Sequence, residues 1–469
     1  MAPKNEKDPA KELKEKLFYQ KKHAATLLSE KELKKCDKFC EEYKKFLTFA
    51  KTERKAVDYS VKALEDAGFR PFAAGMKLTA GDRVYINNRG KAIIAAVIGT
   101  KPLSEGVRLC AAHIDSPRID LKQCPLYESS ELALFKTHYY GGIKKYQWTA
   151  RPLSLHGVVV RADGSQVSVS IGEEENEPVF CVTDLLPHLA TEQMKRTLAD
   201  GIRGEELNLL IGSRPFRDTK ESEAVKLNIL SILFEKYGIT EADFLSAELE
   251  AVPAGSARDV GFDRSMIGSY GHDDRVCAYT ALAATIDCKQ PAHTAVTILT
   301  DKEETGSDGN TGLRSRYLEY FICDLAECFG LNGRAVLSAS KCLSADVNAA
   351  FDPTFPDVLE QRNAAFLNYG VVVTKFTGAR GKSGTSDASA EYVGEIRALL
   401  DKNKVIWQTG ELGKVDLGGG GTVAAYIANL NVDTIDVGVP VLNMHAPMEI
   451  VSKIDTYMAY RAFLCFINE

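Results

Sequence analysis

The chain has no run of about 18 apolar residues, so nothing in it reads as a membrane-spanning helix. Its N-terminus has no signal-peptide core, because charges interrupt it from Lys4 onward. None of its 11 cysteines forms a C-x-x-C pair, and Cys36 and Cys40, one helical turn apart in a charged stretch, do not make a zinc-finger pattern. Reduced thiols in a cytoplasmic protein are therefore expected. No G-x-S-x-G occurs, which removes the commonest serine-hydrolase elbow. In "GARGKSGTSD" Gly378 and Gly381 have two residues between them where a Walker A loop needs four, and "DLGGGGTVAAY" lacks the third glycine of the dinucleotide fingerprint. Nor is there a basic excess: 58 Lys and Arg against 64 Asp and Glu leave a net charge of -6. That argues against a general nucleic-acid or membrane-surface binder. The Lys-rich first sixty residues carry interspersed acids and read as solvated helix faces.

What is present suits a globular protein of two domains: 469 residues, 45% hydrophobic and 26% charged. Helical periodicity fills residues 8–67, with Gly68 as a C-cap. Strand-like runs follow in "DRVYINN", "KAIIAAVIG" and "GVRLCAAHID". From about residue 119 the texture becomes alternating, as in "LSLHGVVVRADGSQVSVSIG" with a turn at Asp163-Gly164, which predicts antiparallel sheet. "TDLLPHLATEQMKR" reads as a helix. Near residue 259 strand/helix alternation returns: "DDRVCAYTALAATI" as helix, "AVTILTD" as strand, "RAVLSASKCLSADV" as a strand leading to a loop, "VDTIDVGVPV" as strand and "SKIDTYMAYRAFLCFI" as a last helix. An α/β domain is thus expected to be split by a β-rich insert.

Five apolar strands end in His, Asp or Glu: His113 and Asp115 in "CAAHIDSPR", Asp273-Asp274 in "YGHDDRV", Glu303-Glu304 in "LTDKEETG", Asp346 in "LSADVNA" and His445 in "VLNMHAPMEI". Ligands of open α/β sheets bind outside the carboxyl ends of the strands, so the five can converge. Two histidines with several carboxylates suit zinc above all, with manganese or cobalt as alternatives. Two such ions sharing a carboxylate polarise a carbonyl and activate a shared water. Adjacent Glu303 and Glu304 on an extended strand end point in opposite directions, one to a metal and one to the water as general base.

The segments "AAHIDSPRIDLK", "GHDDRVCAY", "TDKEETGSDG", "SADVNAAFDP" and "NMHAPMEI" resemble, in order, the signature segments of the aspartyl aminopeptidase and vacuolar aminopeptidase I family of dinuclear zinc exopeptidases. The resemblance runs from about residue 70 to the C-terminus. It implies an α/β, mixed-sheet zinc-exopeptidase catalytic domain in two segments, 1–118 and 257–469, interrupted by a β-rich dimerisation domain at 119–256. It implies that His113 binds one of two Zn2+ ions per subunit and His445 the other, that Asp273 bridges, and that Glu304 and Asp346 complete the ligand set. Glu303 becomes the general base and Asp115 orients a ligand. His188, in "DLLPHLA", stabilises the tetrahedral intermediate in a neighbouring subunit's site; read alone it is an ordinary amphipathic-helix histidine. Gly420 and Gly421 contact substrate through the backbone, and Lys382 or Arg380 lies where the first substrate side chain is held.

The expected function is removal of an acidic or neutral N-terminal residue from peptide substrates by a homo-oligomer, a tetrahedral dodecamer, with no nucleic-acid or membrane partner. A carboxypeptidase or deacylase on the same two-metal site is the nearer alternative, and a non-catalytic assembly scaffold the more distant one.

Overall fold

The computed structural model describes residues 9–217 and 219–469, so the first eight residues of the Lys-rich stretch lie outside the described residues. Its centre is a nine-stranded mixed sheet. Four neighbouring strands, Thr294–Thr300, Val107–His113, Lys341–Ser344 and Asp433–Gly438, run parallel, with Thr300 in register with His113. Their carboxyl ends therefore share one edge.

"VRLCAAH" is buried at every position because both faces of the strand are covered. Cys110 and Ala112 pack with Glu30–Phe49, Glu53–Asp66, His272–Asp287 and Lys453–Ile467, contributed through Phe46, Leu64, Val276 and Phe463 among others. The alternate residues Val107, Leu109 and Ala111 pack on the other side with Tyr317–Glu327 and Gly333–Ser338. Helix starts follow the sequence: Ser29 and Glu32 form a capping box, and the Ser452 side chain caps the last helix.

A seven-stranded sheet built from strands between Arg118 and Pro253 pairs antiparallel throughout. The predicted hairpin with Gly164 in its turn is present, with Val160 opposite Gln166. A second hairpin joins Arg118–Ser129 to Leu132–Tyr140 through Ser130 and Glu131, both left-handed. This sheet has its own core, including Ile119, Phe135, Trp148 and Leu249, with Ile229 and Leu233 of the helix Ala224–Tyr237 packed on it. A third, small sheet pairs Met266–Ser269 with Glu449–Ser452, placing Ser269 opposite Glu449.

Two sequence expectations differ. "TDLLPHLATEQMKR" is no helix: it holds only the 3-10 turn Pro187–Leu189 followed by turns. Its Leu185, Leu186 and Leu189 are all exposed, so no packed face selects a helix. "RAVLS" is a helix, Gly333–Ser338, where a strand was expected. The Asn332 side chain accepts from Arg334 N–H at its start, and burial of Val336 and Leu337 overrides β propensity.

Candidate metal centre

The parallel edge and the small sheet bring five of the predicted segments to one place. His113 ends its strand. Asp273 follows Met266–Ser269 with non-helical backbone, Asp346 follows Lys341–Ser344, and His445 precedes Glu449–Ser452. Glu303 and Glu304 are not extended, as the sequence suggested, but open a 3-10 turn, Glu303–Thr305, after a left-handed Lys302. The turn is held by Asp115, whose Oδ1 and Oδ2 accept the N–H groups of Glu303 and Glu304 at 3.1 and 3.2 Å.

His113 Nε2 lies 3.1 Å from Asp273 Oδ1, 3.7 Å from Asp346 Oδ1 and 3.9 Å from Glu303 Oε2. His445 Nε2 lies 3.1 Å from Asp273 Oδ2 and 3.4 Å from Glu304 Oε1. Tetrahedral zinc with arms of ~2.0–2.2 Å separates its ligands by roughly 3.3 Å, so these are the spacings of atoms around a cation. Three groups of donor atoms lie close enough to hold an ion: His113/Asp273/Asp346 and Asp273/Glu304/His445, which share Asp273, and His113/Glu303/Glu304.

The tautomers agree with this geometry. His113 Nδ1 is 3.1 Å from the Asp115 carbonyl, and His445 Nδ1 is 2.8 Å from the Gly142 carbonyl. Each Nδ1–H donates there, leaving the Nε2 lone pair for a ligand. His113 Nε2 and Glu304 Oε1 are buried without any hydrogen-bond partner, a costly state that a cation bound at each would remove.

The electrostatics are lopsided. Burial pushes Glu303 up to about 8; the His113 imidazole opposes this and the Asp346 and Asp115 carboxylates add to it. Burial and then the charge of Asp273 carry Glu304 well above the usual range. Burial alone would raise Asp273 too, but the His113 and His445 imidazoles facing it on either side outweigh it and hold its carboxyl low. Burial would lower His445, yet Asp273 and Glu304 raise it to about 10. Four carboxylates around two imidazoles leave a buried negative excess that divalent cations balance.

Other predicted residues lie outside the ligand groups. Asp274 is buried, and its Oδ2 accepts the His113 N–H at 3.3 Å. His188 is exposed on its 3-10 turn. Lys382 pairs with Asp387 at 2.7 Å and lies 3.8 Å from the Phe376 ring centroid, while Arg380 is exposed. The two glycine-rich loops pack together: Gly378 N–H donates to the Gly420 carbonyl, and a Cβ on Gly421 would lie 3.4 Å from the Gly384 carbonyl.

Sequence reasoning passed over three residues. Glu449 accepts the Asp273 and His445 N–H groups at 2.9 and 2.7 Å, tying bridge to histidine. Tyr140 Oη donates to Asp115 Oδ2 at 2.8 Å, and the Gly142 carbonyl holds His445. Glu449 stands four residues after His445 within a quoted motif, a signal that was available; Tyr140 and Gly142 had none.

A parallel-sheet edge carrying histidines and carboxylates at metal-ligand spacing defines a metal-dependent hydrolase. Residues 46–467 match the model of the aminopeptidase I zinc metalloprotease (M18) family. The chain is 50% identical over 460 residues to a probable M18 family aminopeptidase 1 of Clostridium acetobutylicum, covering 96% of this chain and 99% of that one. The crystal structure of an M18 aminopeptidase from Thermotoga maritima superposes with a TM-score of 0.92 at 44% identity, covering 96% of this chain and all of that one. A Saccharomyces cerevisiae relative solved as a dodecamer shares the fold, with a TM-score of 0.74 at 18% identity over 91% of this chain and 96% of that one. The chain belongs to the M18 family and is a zinc aminopeptidase.

Proposed function

We propose that this aminopeptidase binds two zinc ions per chain, one in His113/Asp273/Asp346 and one in Asp273/Glu304/His445, with Asp273 as the bridge. The observation that carries this is the Asp273 carboxylate spanning both histidines at 3.1 Å on each side, beside the unpartnered His113 Nε2 and Glu304 Oε1. Manganese or cobalt fits the same donors. The ions supply Lewis acidity toward the scissile carbonyl and make water acidic enough to react near neutral pH.

Glu303 does the proton work. It stands on the His113 side, 3.9 Å from His113 Nε2, and shares a candidate group with His113 and Glu304, but its side chain is 19% exposed against 4% for Glu304, which favours the base over the ligand role. Its carboxylate takes the proton of the attacking water and returns it to the leaving amine. Asp115 holds His113 and the Glu303–Glu304 turn. A carboxylate beside the ions holds the free α-amino group. Lys382 is engaged by Asp387 and Phe376, which favours a neutral over an acidic N-terminal residue.

Residues 119–256 form the inserted oligomerisation domain between catalytic segments 1–118 and 257–469, the chain assembles as a tetrahedral dodecamer, and His188 serves the oxyanion of a neighbouring copy. Exposed Leu185, Leu186 and Leu189 around His188 support an interface there. The unpaired cysteines suit a cytoplasmic location, and among the described residues no helix is long and apolar enough to cross a membrane.

The test is metal content by mass spectrometry together with hydrolysis of a peptide and its N-acetyl derivative. Two zinc ions per chain and turnover of the free amine alone are expected. One ion per chain contradicts the two-zinc reading, and equal cleavage of the blocked peptide favours the carboxypeptidase or deacylase on the same site.

A further inference from the structure

We propose that Tyr140, Gly141 and Gly142 form a strap by which the antiparallel sheet positions the metal ligands, with Tyr140 as a positioning residue; this rests on the reading of the cluster as a zinc centre. Three consecutive residues at the end of Leu132–Tyr140 each meet a different member of the cluster or its support. Tyr140 Oη donates to Asp115 Oδ2 at 2.8 Å. The same carboxylate accepts the Glu303 and Glu304 N–H groups, and its Oδ1 lies 3.3 Å from His113 Nδ1. One hydroxyl thereby fixes the rotamer of the group that orients a ligand histidine and the turn bearing both glutamates.

The strap then passes to the second ligand group. Gly141 has φ +73°, and a Cβ there would stand 3.3 Å from Glu304 Cβ and Oε2 and from Pro117 Cβ. Left-handed backbone pressed against a ligand side chain requires glycine. The Gly142 carbonyl accepts from His445 Nδ1 at 2.8 Å and sets its tautomer.

The tyrosine is itself locked. The Arg118 guanidinium lies 3.9 Å from its ring centroid. Arg118 is fixed by Glu53, Glu250 and Asp120 at 3.5, 3.3 and 2.8 Å. Removing only the hydroxyl keeps this stack and frees Asp115.

The test uses Tyr140→Phe in the full-length protein, with Tyr139→Phe, an exposed neighbour, as control. Zinc affinity is read by chelator competition, and the absorption spectrum of the cobalt-loaded protein reports ligand geometry. Tyr140→Phe is expected to bind zinc ~10–100-fold more weakly, the usual scale for loss of a group behind a ligand. It should also alter the cobalt bands and lower kcat with KM kept, while the melting temperature of the metal-free protein stays put and Tyr139→Phe matches wild type. Gly141→Ala, pressing on Glu304, should loosen one of the two ions before the other. If both strap variants keep wild-type zinc affinity and cobalt spectrum, or lose only metal-free stability, the strap is overturned while the metal centre stands. A wild-type chain that takes up no zinc overturns the metal-centre reading and the strap with it.

Discussion

Glu53 and Glu304 are both glutamates withdrawn from water, with side chains 0% and 4% exposed, and their surroundings push them in opposite directions. Burial would raise Glu53, but Arg118 at 3.5 Å and Lys91 at 3.4 Å outweigh it and hold the carboxyl well below the usual range. Burial raises Glu304 and Asp273 raises it further. In the first cluster Arg118 and Lys91 supply the positive charge that keeps Glu53 ionised, while burial and the charge of Glu53 hold its neighbour Glu250 well above the usual range. In the second, the basic groups facing the carboxylates are the His113 and His445 imidazoles, and Glu304 stays well above the usual range beside them. A buried carboxylate is therefore no mark of a site by itself; what marks one is buried negative charge that the protein leaves unbalanced.

The sharpest way to break the comparison lies inside the second cluster. Glu303→Gln should lower kcat by ~10²–10⁴-fold while the protein keeps both zinc ions, because a general base is lost and no ligand is. Glu304→Gln should lose metal. Metal analysis of the two variants beside their turnover decides this, and the reverse pattern exchanges the two roles. The matching experiment in the first cluster removes its cation. Arg118→Met strands Glu53 and Glu250 in the interior, and breaking such a buried pair costs roughly 3–5 kcal/mol. Urea unfolding of the zinc-loaded protein measures it; a change under ~1 kcal/mol would mean that water reaches Glu53 and that the contrast drawn here is false.

Legibility in the sequence followed the same division. The five segments could be read because each joins an apolar run to a titratable residue; the parallel sheet brings those of His113, Glu303–Glu304 and Asp346 to one edge, and the small sheet adds Asp273 and His445. The choice of Asp273 as bridge rested on family resemblance; its carboxylate lies 3.1 Å from each histidine's Nε2. The Glu303–Glu304 turn was misread as extended because it is held by Asp115, 188 residues away. Tyr140 and Gly142 were invisible for a related reason: their partners depend on the pairing of Arg118–Ser129 with Leu132–Tyr140 and on a loop 303 residues distant. The helix expected around His188 failed because its leucines face outward in the single chain.

That exposed turn gives a smaller, partial effect. If His188 acts across an interface, His188→Ala and Glu303→Gln homo-oligomers should both be nearly inactive, yet oligomers co-expressed from the two should regain a fraction of wild-type turnover. Some intact metal sites then face an intact His188. Verified mixed oligomers no more active than the sum of their parents would return His188 to its own chain.

The smallest effect is one of slope. The folded-state value of Glu53 lies below its ordinary 4.5, so its contribution to stability is complete above that value and is lost as the pH falls below it. In the metal-free protein Glu303 has the opposite sign. Burial raises it from 4.5 to about 8, so the folded chain keeps a proton that the unfolded chain releases, and stability declines as the pH rises between those values. His445, raised from 6.5 to about 10, adds to the decline in the upper part of the window: its contribution is complete below 6.5 and is lost toward 10. Zinc holds His445 deprotonated, and its charge favours the carboxylate form of the neighbouring Glu303, so both slopes shrink. The melting temperature of chelated protein should therefore fall by a few degrees from about pH 5 to about pH 8, more steeply than that of zinc-loaded protein, in which Asp455 and Asp436, raised by burial to about 8 and about 7, keep a shallower slope, and both should fall below about pH 4.5. Parallel melting curves for the two forms across the upper window would mean that the cluster carries no buried charge excess for zinc to balance.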